Sequence, residues 1–350
     1  MKKFRMILAG ALCAAIGLAS PACSDDEPAG PDSPETPDQP AATVPASFAK
    51  GADVSWVTEL EHKGYKFRTR KGQEMELMQL LRQECGVNSI RLRVWVNPAD
   101  GWNGIDDVMV KARRAKAAGM RLMIDFHFSD TWADPGKQGI PAAWQGLDLA
   151  ATNVKIAGHV TEMLTSLKRE GIVPEWVQIG NETRSGMLWP LGELDNGTNF
   201  TSMVNAGYDA VKAVCPDAKV IVHCDNGDNL WLYNNLFGKL KAQGARYDMI
   251  GMSLYPAFGS WQKSVKACLD NIDVVKATYG KDIMICEVGY SHDYPAVADA
   301  MMTTLMAGCV ARDVKGIFWW EPESPKDDGY DKGCFDANGA PTQALDCFTR

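Results

Sequence analysis

The regular alternation of strand-like and helix-like segments is the feature of this sequence that most restricts its fold. From Phe48 onward, short runs of apolar and β-forming residues alternate with longer segments whose apolar residues recur at helical spacing. Strands are predicted at Ala49–Val54, Ser89–Val96, Arg121–Phe128, Trp176–Gly180, Lys219–Cys224, Met249–Leu254, Ile283–Val288 and Gly316–Trp320. Helices are predicted at Gln73–Glu84, Ile105–Ala118, Leu149–Glu170, Thr201–Val214, Leu230–Gln243, Trp261–Tyr279 and Ala296–Arg312. This order predicts an α/β fold, a single (β/α)8 TIM barrel with its active site at the carboxyl ends of the strands.

A doubly wound open sheet is the alternative to a barrel. That fold usually carries a glycine-rich phosphate loop after its first strand, and no such loop follows Ala49–Val54. The 350 residues, 46% of them hydrophobic, are enough to bury a large core. We therefore predict that residues 47–350 form one barrel.

The first 22 residues are predicted to be an export signal. Met1–Arg5 is basic, and Met6–Ala19 is apolar but too short to span a bilayer as a stable helix. Small residues at Ser20–Ala22 precede Cys23, which resembles a bacterial lipoprotein signal with Cys23 as the lipidated N-terminus. Because Pro21 interrupts that box, cleavage by an ordinary signal peptidase is the alternative.

Residues 23–46 are predicted to be a disordered tether, because they are rich in proline and acidic residues and have no apolar period. The acidic run Ser24–Glu27 resembles the surface-export signals of Bacteroides-type lipoproteins. We expect an outer-membrane lipoprotein exposed at the cell surface and attached only through Cys23, with a periplasmic or secreted location as the alternative. A monomer is expected, because nothing in the sequence suggests obligate assembly.

The net charge and the cysteine pattern limit the partners and the disulfides that the chain can be expected to have. A formal net charge of -8 argues against nucleic acid or an anionic membrane surface as a partner. Apart from Cys13 and Cys23, which belong to the predicted export signal, the eight cysteines form no Cys-x-x-Cys motif, and several lie in apolar patterns typical of buried free thiols. Cys334 and Cys347 are the pair that we would test first for a disulfide.

Two of the predicted strands end in a glutamate. Trp176–Gly180 is followed by Asn181 and Glu182, and the run from Ile283 ends at Glu287. A lone glutamate at a strand end is usually just solvated, but hydrolysis of a glycosidic bond needs two carboxyl groups. The fourth and seventh strands face each other across a barrel mouth. We therefore assign Glu182 as the general acid/base, held protonated, and Glu287 as the nucleophile, held ionised.

Polar residues near the strand ends are candidates to hold Glu287 ionised. Arg91 or Arg93, His223 and Tyr255 are the candidate donors. Because side chains alternate along a strand, we expect one of the two arginines to point into the barrel and the other outward.

The predicted carboxyl ends of the strands are rich in polar and aromatic residues, as a carbohydrate site requires. Eleven tryptophans are more than a core needs, and their flat faces suit sugar rings, although core packing is about as common for any one of them. Trp144 is a further candidate platform, and Asn181 is placed to bind the sugar hydroxyl beside the reacting carbon. The candidate substrate-binding residues are Asp53, Arg91, Arg93, Trp95, Asp125, His127, Asp130, Trp132, Asn181, Trp189, His223, Asp225, Tyr255 and Trp320.

Several of these motifs together resemble glycoside hydrolase family 53. The resemblance is carried by Ala52–Ser55, Arg91–Pro98, Asp125–Gly136, Gln178–Glu182 and Trp320–Pro322, and it spans the predicted barrel. Members of that family are endo-β-1,4-galactanases that act on the galactan side chains of pectin. The resemblance implies a retaining enzyme acting on β-1,4-galactan in type I arabinogalactan, with Glu182 as acid/base and Glu287 as nucleophile.

No cofactor and no catalytic metal are predicted. The five histidines include no His-x-His pair, which argues against a metal-dependent hydrolase. Some members of the family that the chain resembles carry calcium in a long loop after the seventh or eighth strand. Glu323–Asp331 offers oxygen ligands for a structural calcium, but it matches no defined calcium loop, so a solvated loop is expected.

Two other functions stay open on the residues alone. An endo-acting mannanase, xylanase or cellulase of the same barrel type would use the two glutamates equally well. A non-catalytic surface glycan-binding lipoprotein would keep the tryptophans, but it would not need Glu182 and Glu287 together.

Overall fold

Eight parallel strands close into a barrel, in the computed structural model that describes residues 44–326 and 329–350. The barrel strands are β1 (Ala49–Asp53), β2 (Ser89–Val94), β3 (Arg121–Phe126), β4 (Trp176–Ile179), β7 (Lys219–Cys224), β8 (Met249–Leu254), β9 (Asp282–Val288) and β10 (Gly316–Trp320). They are hydrogen-bonded in chain order, and β10 pairs with β1 to close the ring. A short hairpin of β5 (Gly186–Met187) and β6 (Gly192–Glu193) follows β4. The TIM-barrel prediction is confirmed.

Helices surround the barrel. They are α1 (Val57–His62), α2 (Leu77–Gln83), α3 (Ile105–Ala117), α4 (Leu149–Arg169), α5 (Asn199–Val214), α6 (Leu230–Ala242), α7 (Trp261–Tyr279) and α8 (Pro295–Ala311). Side chains fix some of their ends: Glu76 and Asp148 accept hydrogen bonds from the first turns of α2 and α4. Gly280 closes α7 in the left-handed conformation that glycine adopts without strain.

Two apolar regions hold the structure together. The larger one lies between the strands and the surrounding helices. The smaller one fills the barrel interior with Ala49, Met123, Trp176, Ile221, Met249, Met284, Cys286 and Phe318. Because these bulky side chains fill the amino-terminal part of the barrel, polar groups can occupy its interior only near the carboxyl ends of the strands.

The eight cysteines of the described residues are all buried free thiols. Cys334 and Cys347, the pair suggested from the sequence, are among them. The predicted signal, Cys23 and the tether as far as residue 43 lie outside the described residues. Within the part of the chain that the structure describes, no helix is long and apolar enough to cross a membrane.

Candidate active site

Glu182 lies at the carboxyl end of the barrel in a strained turn. Three residues after β4, it has a φ of 47°, and Gly180 before it has a φ of 81°. A residue with a side chain adopts this left-handed conformation only where its surroundings enforce it. Here the backbone N–H of Thr183 donates to the His223 carbonyl at 2.9 Å, which anchors the turn to β7.

A β-bulge brings Glu287 to the same end of the barrel interior. Met284 and Cys286 point into the barrel, so unbroken alternation would turn the next residue, Glu287, outward. The pairing of β9 with β8 shifts instead, just before the position where Ser253 lies opposite Glu287. The bulge re-aims the glutamate, as bulges beside active sites commonly do.

Ser253 connects the two glutamates. Its Oγ lies 2.7 Å from Glu182 Oε1, and its backbone pairs with Glu287. Burial raises the pKa of Glu182 to about 8, and the nearby charge of Glu287 adds to the shift. Glu182 is therefore protonated at neutral pH, as a general acid must be.

Glu287 is held by two donors. Arg91 Nη2 lies 2.9 Å from its Oε1, and the Tyr255 hydroxyl donates to its Oε2 at 2.9 Å. Burial raises the pKa of Glu287 too, but Arg91 and Tyr255 favour its charged form. Of the two glutamates, Glu287 therefore carries the charge and Glu182 carries the proton.

Arg91 is the centre of the buried polar network. Its side chain is fully buried, and it contacts Asp53 Oδ2 at 2.8 Å, Asp125 Oδ2 at 2.8 Å and Asn181 Oδ1 at 2.9 Å. With Glu287, these partners satisfy a cation that would otherwise be costly to bury. The guanidinium, on β2, thereby fixes groups from four other strands or strand ends around the two glutamates.

Arg93 lies on the same face of β2 as Arg91, so the expectation that the two would point in opposite directions was wrong. Residues two apart in a strand share a face, because the side-chain period is two. Arg93 is also buried, and it forms an ion pair with Glu321 just after β10. Arg91 therefore contacts the carboxylates of Asp53, Asp125 and Glu287, whereas Arg93 lies nearer the barrel mouth.

A neutral histidine supports Glu182 from β7. The Nδ1 atom of His223 lies 3.0 Å from Asn181 Oδ1, 3.1 Å from Gln178 Nε2 and 3.4 Å from the backbone N of Glu182. Its Nε2 atom lies 2.8 Å from Ser253 Oγ. Burial, aided by the charge of Arg91, lowers the pKa of His223 well below its usual value, which keeps the ring neutral.

His127 joins this network to an aromatic cluster. Its Nδ1 accepts from the Ala133 backbone at 3.2 Å and lies 3.4 Å from Trp95 Nε1, while its Nε2 is 3.0 Å from Asp125 Oδ2. The cluster comprises Trp56, Trp95, Trp132, Trp320 and Tyr330, whose neighbouring ring centroids lie between 4.8 and 6.2 Å apart. It supplies apolar faces beside the catalytic pair.

Two predicted site residues already have partners within the protein. Asp130 accepts from the backbone N–H groups of Asn97 and Ala142, at 3.0 and 2.8 Å, so it braces loops. Asp225 forms an ion pair with Arg184, whose Nε lies 2.7 Å from Asp225 Oδ1. Their predicted role in substrate binding stays a prediction.

Two candidate tryptophans differ in exposure. Trp189 is half-buried, and its Nε1 donates to the Ser185 carbonyl at 3.0 Å in the loop after β4. Trp144 is 4% exposed and packs against Phe128 and His159. Trp144 is therefore a core residue, and the expectation of a sugar platform there was wrong.

Sequence reasoning missed Gln178, Ser253, Trp56 and Glu321. Gln178 interrupts the apolar run of β4 with a polar residue, which is a signal that could have found it. Trp56 directly follows the Ala52–Ser55 motif, and Glu321 lies within Trp320–Pro322. Both contact Arg93, although the two residues lie far apart in the chain. No local sequence pattern predicts such contacts.

The described residues contain no group of three or more histidine, cysteine, aspartate or glutamate side chains placed to hold a metal ion. The segment suggested for calcium, Glu323–Asp331, includes Asp327 and Asp328, which lie outside the described residues. Calcium binding there stays untested.

Comparisons with known proteins agree with this geometry. The family model "Glycosyl hydrolase family 53" matches residues 49–307. A protein of Aspergillus fumigatus named probable arabinogalactan endo-β-1,4-galactanase A is 32% identical, over 82% of this chain and 87% of its own length. A solved fungal β-1,4-galactanase superposes with a TM-score of 0.78 at 32% identity, covering 86% of this chain and 98% of its own. The catalytic domain of a family 53 protein of Ignisphaera aggregans gives 0.80 at 28% identity, covering 89% and 98%. The chain belongs to glycosyl hydrolase family 53.

Proposed function

We propose that this protein is an endo-β-1,4-galactanase that cleaves the galactan side chains of type I arabinogalactan in pectin with retention of configuration. The observation that carries the mechanism is the unequal environment of the two glutamates. Glu182 is protonated, whereas Glu287 is held by Arg91 and Tyr255. The names of the family 53 relatives, arabinogalactan endo-β-1,4-galactanases, support the substrate.

The reaction follows from these protonation states. A Glu287 carboxylate oxygen attacks the anomeric carbon while Glu182 gives its proton to the leaving glycosidic oxygen, so the glycosidic bond breaks and a glycosyl ester of Glu287 forms. Glu182, now a carboxylate, takes a proton from water. That water attacks the same carbon and releases Glu287. Two displacements at one carbon retain its configuration.

Neighbouring residues lower the barriers of both steps. Ser253, through its contact with Glu182 Oε1, orients the acid, and His223 fixes Ser253 without carrying a competing charge. Asn181 points its Oδ1 at Arg91 and donates from Nδ2 to the Ala133 carbonyl at 2.9 Å. Asn181 is therefore held rigidly beside the acid, where a sugar hydroxyl can approach it.

The test is product analysis on linear β-1,4-galactan. Wild type is compared with Glu182→Gln and Glu287→Gln at equal folded concentration, and the exposed Glu162→Gln serves as the control. We expect short galacto-oligosaccharides from wild type and control, and at least a hundredfold loss of rate (order of magnitude) in each active-site variant. Cleavage of mannan, xylan or cellulose, with galactan left uncleaved, would contradict the proposed substrate. Binding of galactan without products would indicate a glycan-capturing protein.

We also propose that the protein is a lipoprotein monomer of the cell envelope, anchored at Cys23 and exposed at the cell surface. The export-like segment that ends directly before Cys23 and the acidic residues after it support this proposal. Metabolic labelling with a fatty acid tests the anchor, and Cys23→Ser should abolish the label and release the protein from membranes. Protease treatment of intact cells tests exposure, and light scattering of the purified barrel tests the monomer.

A further inference from the structure

A lysine is buried outside the barrel interior, on helix α3. Lys111 is fully buried, and most of the other buried residues of α3, such as Val108 and Ala112, are apolar. Burying an ammonium group is costly, and a well-packed apolar side chain of similar size is often tolerated at least as well at such a position. The stability of the barrel therefore does not by itself require a lysine here.

The ammonium group of Lys111 has one acceptor for each of its three hydrogens. Nζ lies 2.6 Å from the carbonyl oxygen of Ser55, 2.8 Å from Asn103 Oδ1 and 2.7 Å from Asp107 Oδ2. A neutral amine has only two N–H groups, so the third acceptor favours the charged form. Burial lowers the pKa of Lys111, and the neighbouring Asp107 carboxylate opposes this shift. Lys111 thereby joins α3 to the segments that follow β1 and β2.

The contact with Ser55 leads towards the catalytic centre. Lys111 holds the Ser55 carbonyl, while the backbone N–H of Ser55 donates to Asp53 Oδ1 at 3.1 Å and its hydroxyl donates to the same oxygen. The other oxygen of Asp53 lies 2.8 Å from Arg91 Nη1. Arg91 Nη2 lies 2.9 Å from Glu287 Oε1. An unbroken series of contacts therefore runs from Lys111 on α3 to Glu287 on β9.

The peptide unit that follows Ser55 is held at both of its polar ends. Its C=O accepts from Lys111, and its N–H, which belongs to Trp56, donates to Glu321 Oε2 at 3.2 Å. The backbone can rotate about φ and ψ where it leaves strand β1. Loss of the contact with Lys111 therefore loosens the serine that orients Asp53.

The charged and titratable groups at the two ends of this series are few. Those near Lys111 are Asp107, Arg93 and Glu321. Those that face Glu287 are Arg91 from β2, Tyr255 after β8 and Glu182 after β4, with Asp53 and Asp125 on the far side of Arg91. Arg91 is the cation in the second group. The charged state of Glu287 therefore depends on the placement of one guanidinium.

We propose that Lys111 is a positioning residue of the active site. It fixes the residues at the end of β1, so that Arg91 stays directed at Glu287. Lys111 itself takes no part in bond cleavage. The proposal rests on the galactanase activity and on the role of Glu287 proposed above.

The experiment compares wild type with Lys111→Met on linear β-1,4-galactan and measures kcat, KM and the pH dependence of kcat/KM. Lys116→Met is the matched control, because it makes the same change on the same helix, at an exposed lysine that donates to the Glu170 carbonyl. Ser55→Ala removes the hydroxyl that donates to Asp53. The double variant Lys111→Met/Ser55→Ala tests whether both residues act in one series. Circular dichroism and urea unfolding establish that each protein is folded.

We expect Lys111→Met to lower kcat about tenfold with little change in KM, because the substrate still binds while the nucleophile is less well held. The acidic limb of the pH profile reports the group that must be ionised, which is Glu287. With Arg91 less firmly placed, the charged form of Glu287 is less favoured, so the limb should move to higher pH by about half a pH unit. Lys116→Met should match wild type. The double variant should lose about as much kcat as the more impaired single variant, because both changes break the same series.

An acidic limb that stays at its wild-type pH in Lys111→Met would overturn the proposal, whatever the change in stability. Losses from Lys111→Met and Ser55→Ala that multiply in the double variant would also overturn it. If Lys111→Met does not fold, Asp107→Asn takes its place, since it weakens the anchor of the lysine without opening a cavity. Asp107→Asn should move the same limb in the same direction, and no movement would overturn the proposal. A wild type that cleaves no galactan would instead remove the proposed function.

Discussion

Single residues decide which of the two carboxyl groups proposed to be catalytic keeps its proton. Both glutamates are buried, and burial alone would raise the pKa of both. The difference comes from their partners, because Arg91 and Tyr255 contact Glu287, whereas Ser253 contacts Glu182. The two identical side chains thus differ in protonation, as the opposite roles proposed for them require.

This assignment predicts the alkaline side of the pH profile. Because Glu182 has a pKa of about 8, kcat/KM should fall as the pH rises through that value and the acid loses its proton. Glu182→Gln cannot lose a proton there. With an aryl galactoside whose leaving group needs no protonation, the residual kcat/KM of Glu182→Gln should no longer fall near pH 8. The same decline in Glu182→Gln as in the Glu162→Gln control would contradict the assignment.

The sequence predicted the residue types of the site better than their contacts. Glu182 and Glu287, which the structure brings to the same end of the barrel, could be proposed because each follows an apolar run, which is a local signal. The contacts of Arg93 with Glu321 and of Ser253 with Glu182 join residues far apart in the chain. The orientation of Arg93 was mispredicted although strand geometry determines it, since residues 91 and 93 must share a face.

At the scale of elements, irregularities in the strands and their ends position the chemistry. The bulge in β9 turns Glu287 inward, and left-handed residues follow four other strands, at Phe128, Glu182, Asn226 and Glu321. Regular strands followed by relaxed turns would place these side chains elsewhere. The strain is retained where the substrate must bind, as is common at functional sites.

Strand β1 depends on a glycine that makes room inside the barrel. A Cβ atom at Gly51 would lie 2.2 Å from the Phe318 ring, whereas one at Gly158, in α4, would meet nothing within 4 Å. Gly51→Ala should therefore lower the free energy of unfolding by about 1–3 kcal/mol. Gly158→Ala should raise it by about 0.5–1 kcal/mol, because alanine favours the helix. Urea unfolding of both variants checks the prediction, and equal effects would contradict it.

The predicted elements match the observed ones where periodicity extends over several turns or a whole strand. Trp261–Tyr279 was predicted with its observed bounds, and the other predicted barrel helices differ by at most two residues at each end, apart from Gln73–Glu84, which begins at Leu77. The six-residue helix α1 and the β5–β6 hairpin were missed. Elements this short carry too few residues for a periodic pattern.

At the scale of the whole molecule, the apolar residues that stabilise the barrel lie apart from the charged residues of the candidate active site. Apolar side chains fill its amino-terminal interior, and the charged network occupies the carboxyl end. The apolar layer supports the buried charges from one side while the substrate approaches from the other. The chain can therefore stabilise itself far from the residues that must remain reactive.

A buried histidine outside the active site ties the stability of the whole molecule to pH. His159 in α4 packs against Phe126, Phe128 and Trp144, and its Nε2 has no hydrogen-bond partner within the described residues. Burial lowers its pKa to about 4, below the value of about 6.5 expected for an unfolded chain. The neutral form is thus favoured by folding. Its contribution to stability is complete above about pH 6.5 and is lost as the pH falls towards 4.

We therefore expect His159→Phe to make the protein less sensitive to acid. Between pH 7 and pH 5, the free energy of unfolding of wild type should fall by about 2 kcal/mol more than that of the variant, because only wild type must keep a histidine neutral. His223, whose pKa burial also lowers, is present in both proteins and cancels in the comparison. Urea unfolding at the two pH values measures the difference. His159→Leu separates charge from ring packing, since it should reproduce the pH difference even if its stability at pH 7 is lower. Parallel losses in wild type and both variants would show that His159 does not set the acid sensitivity.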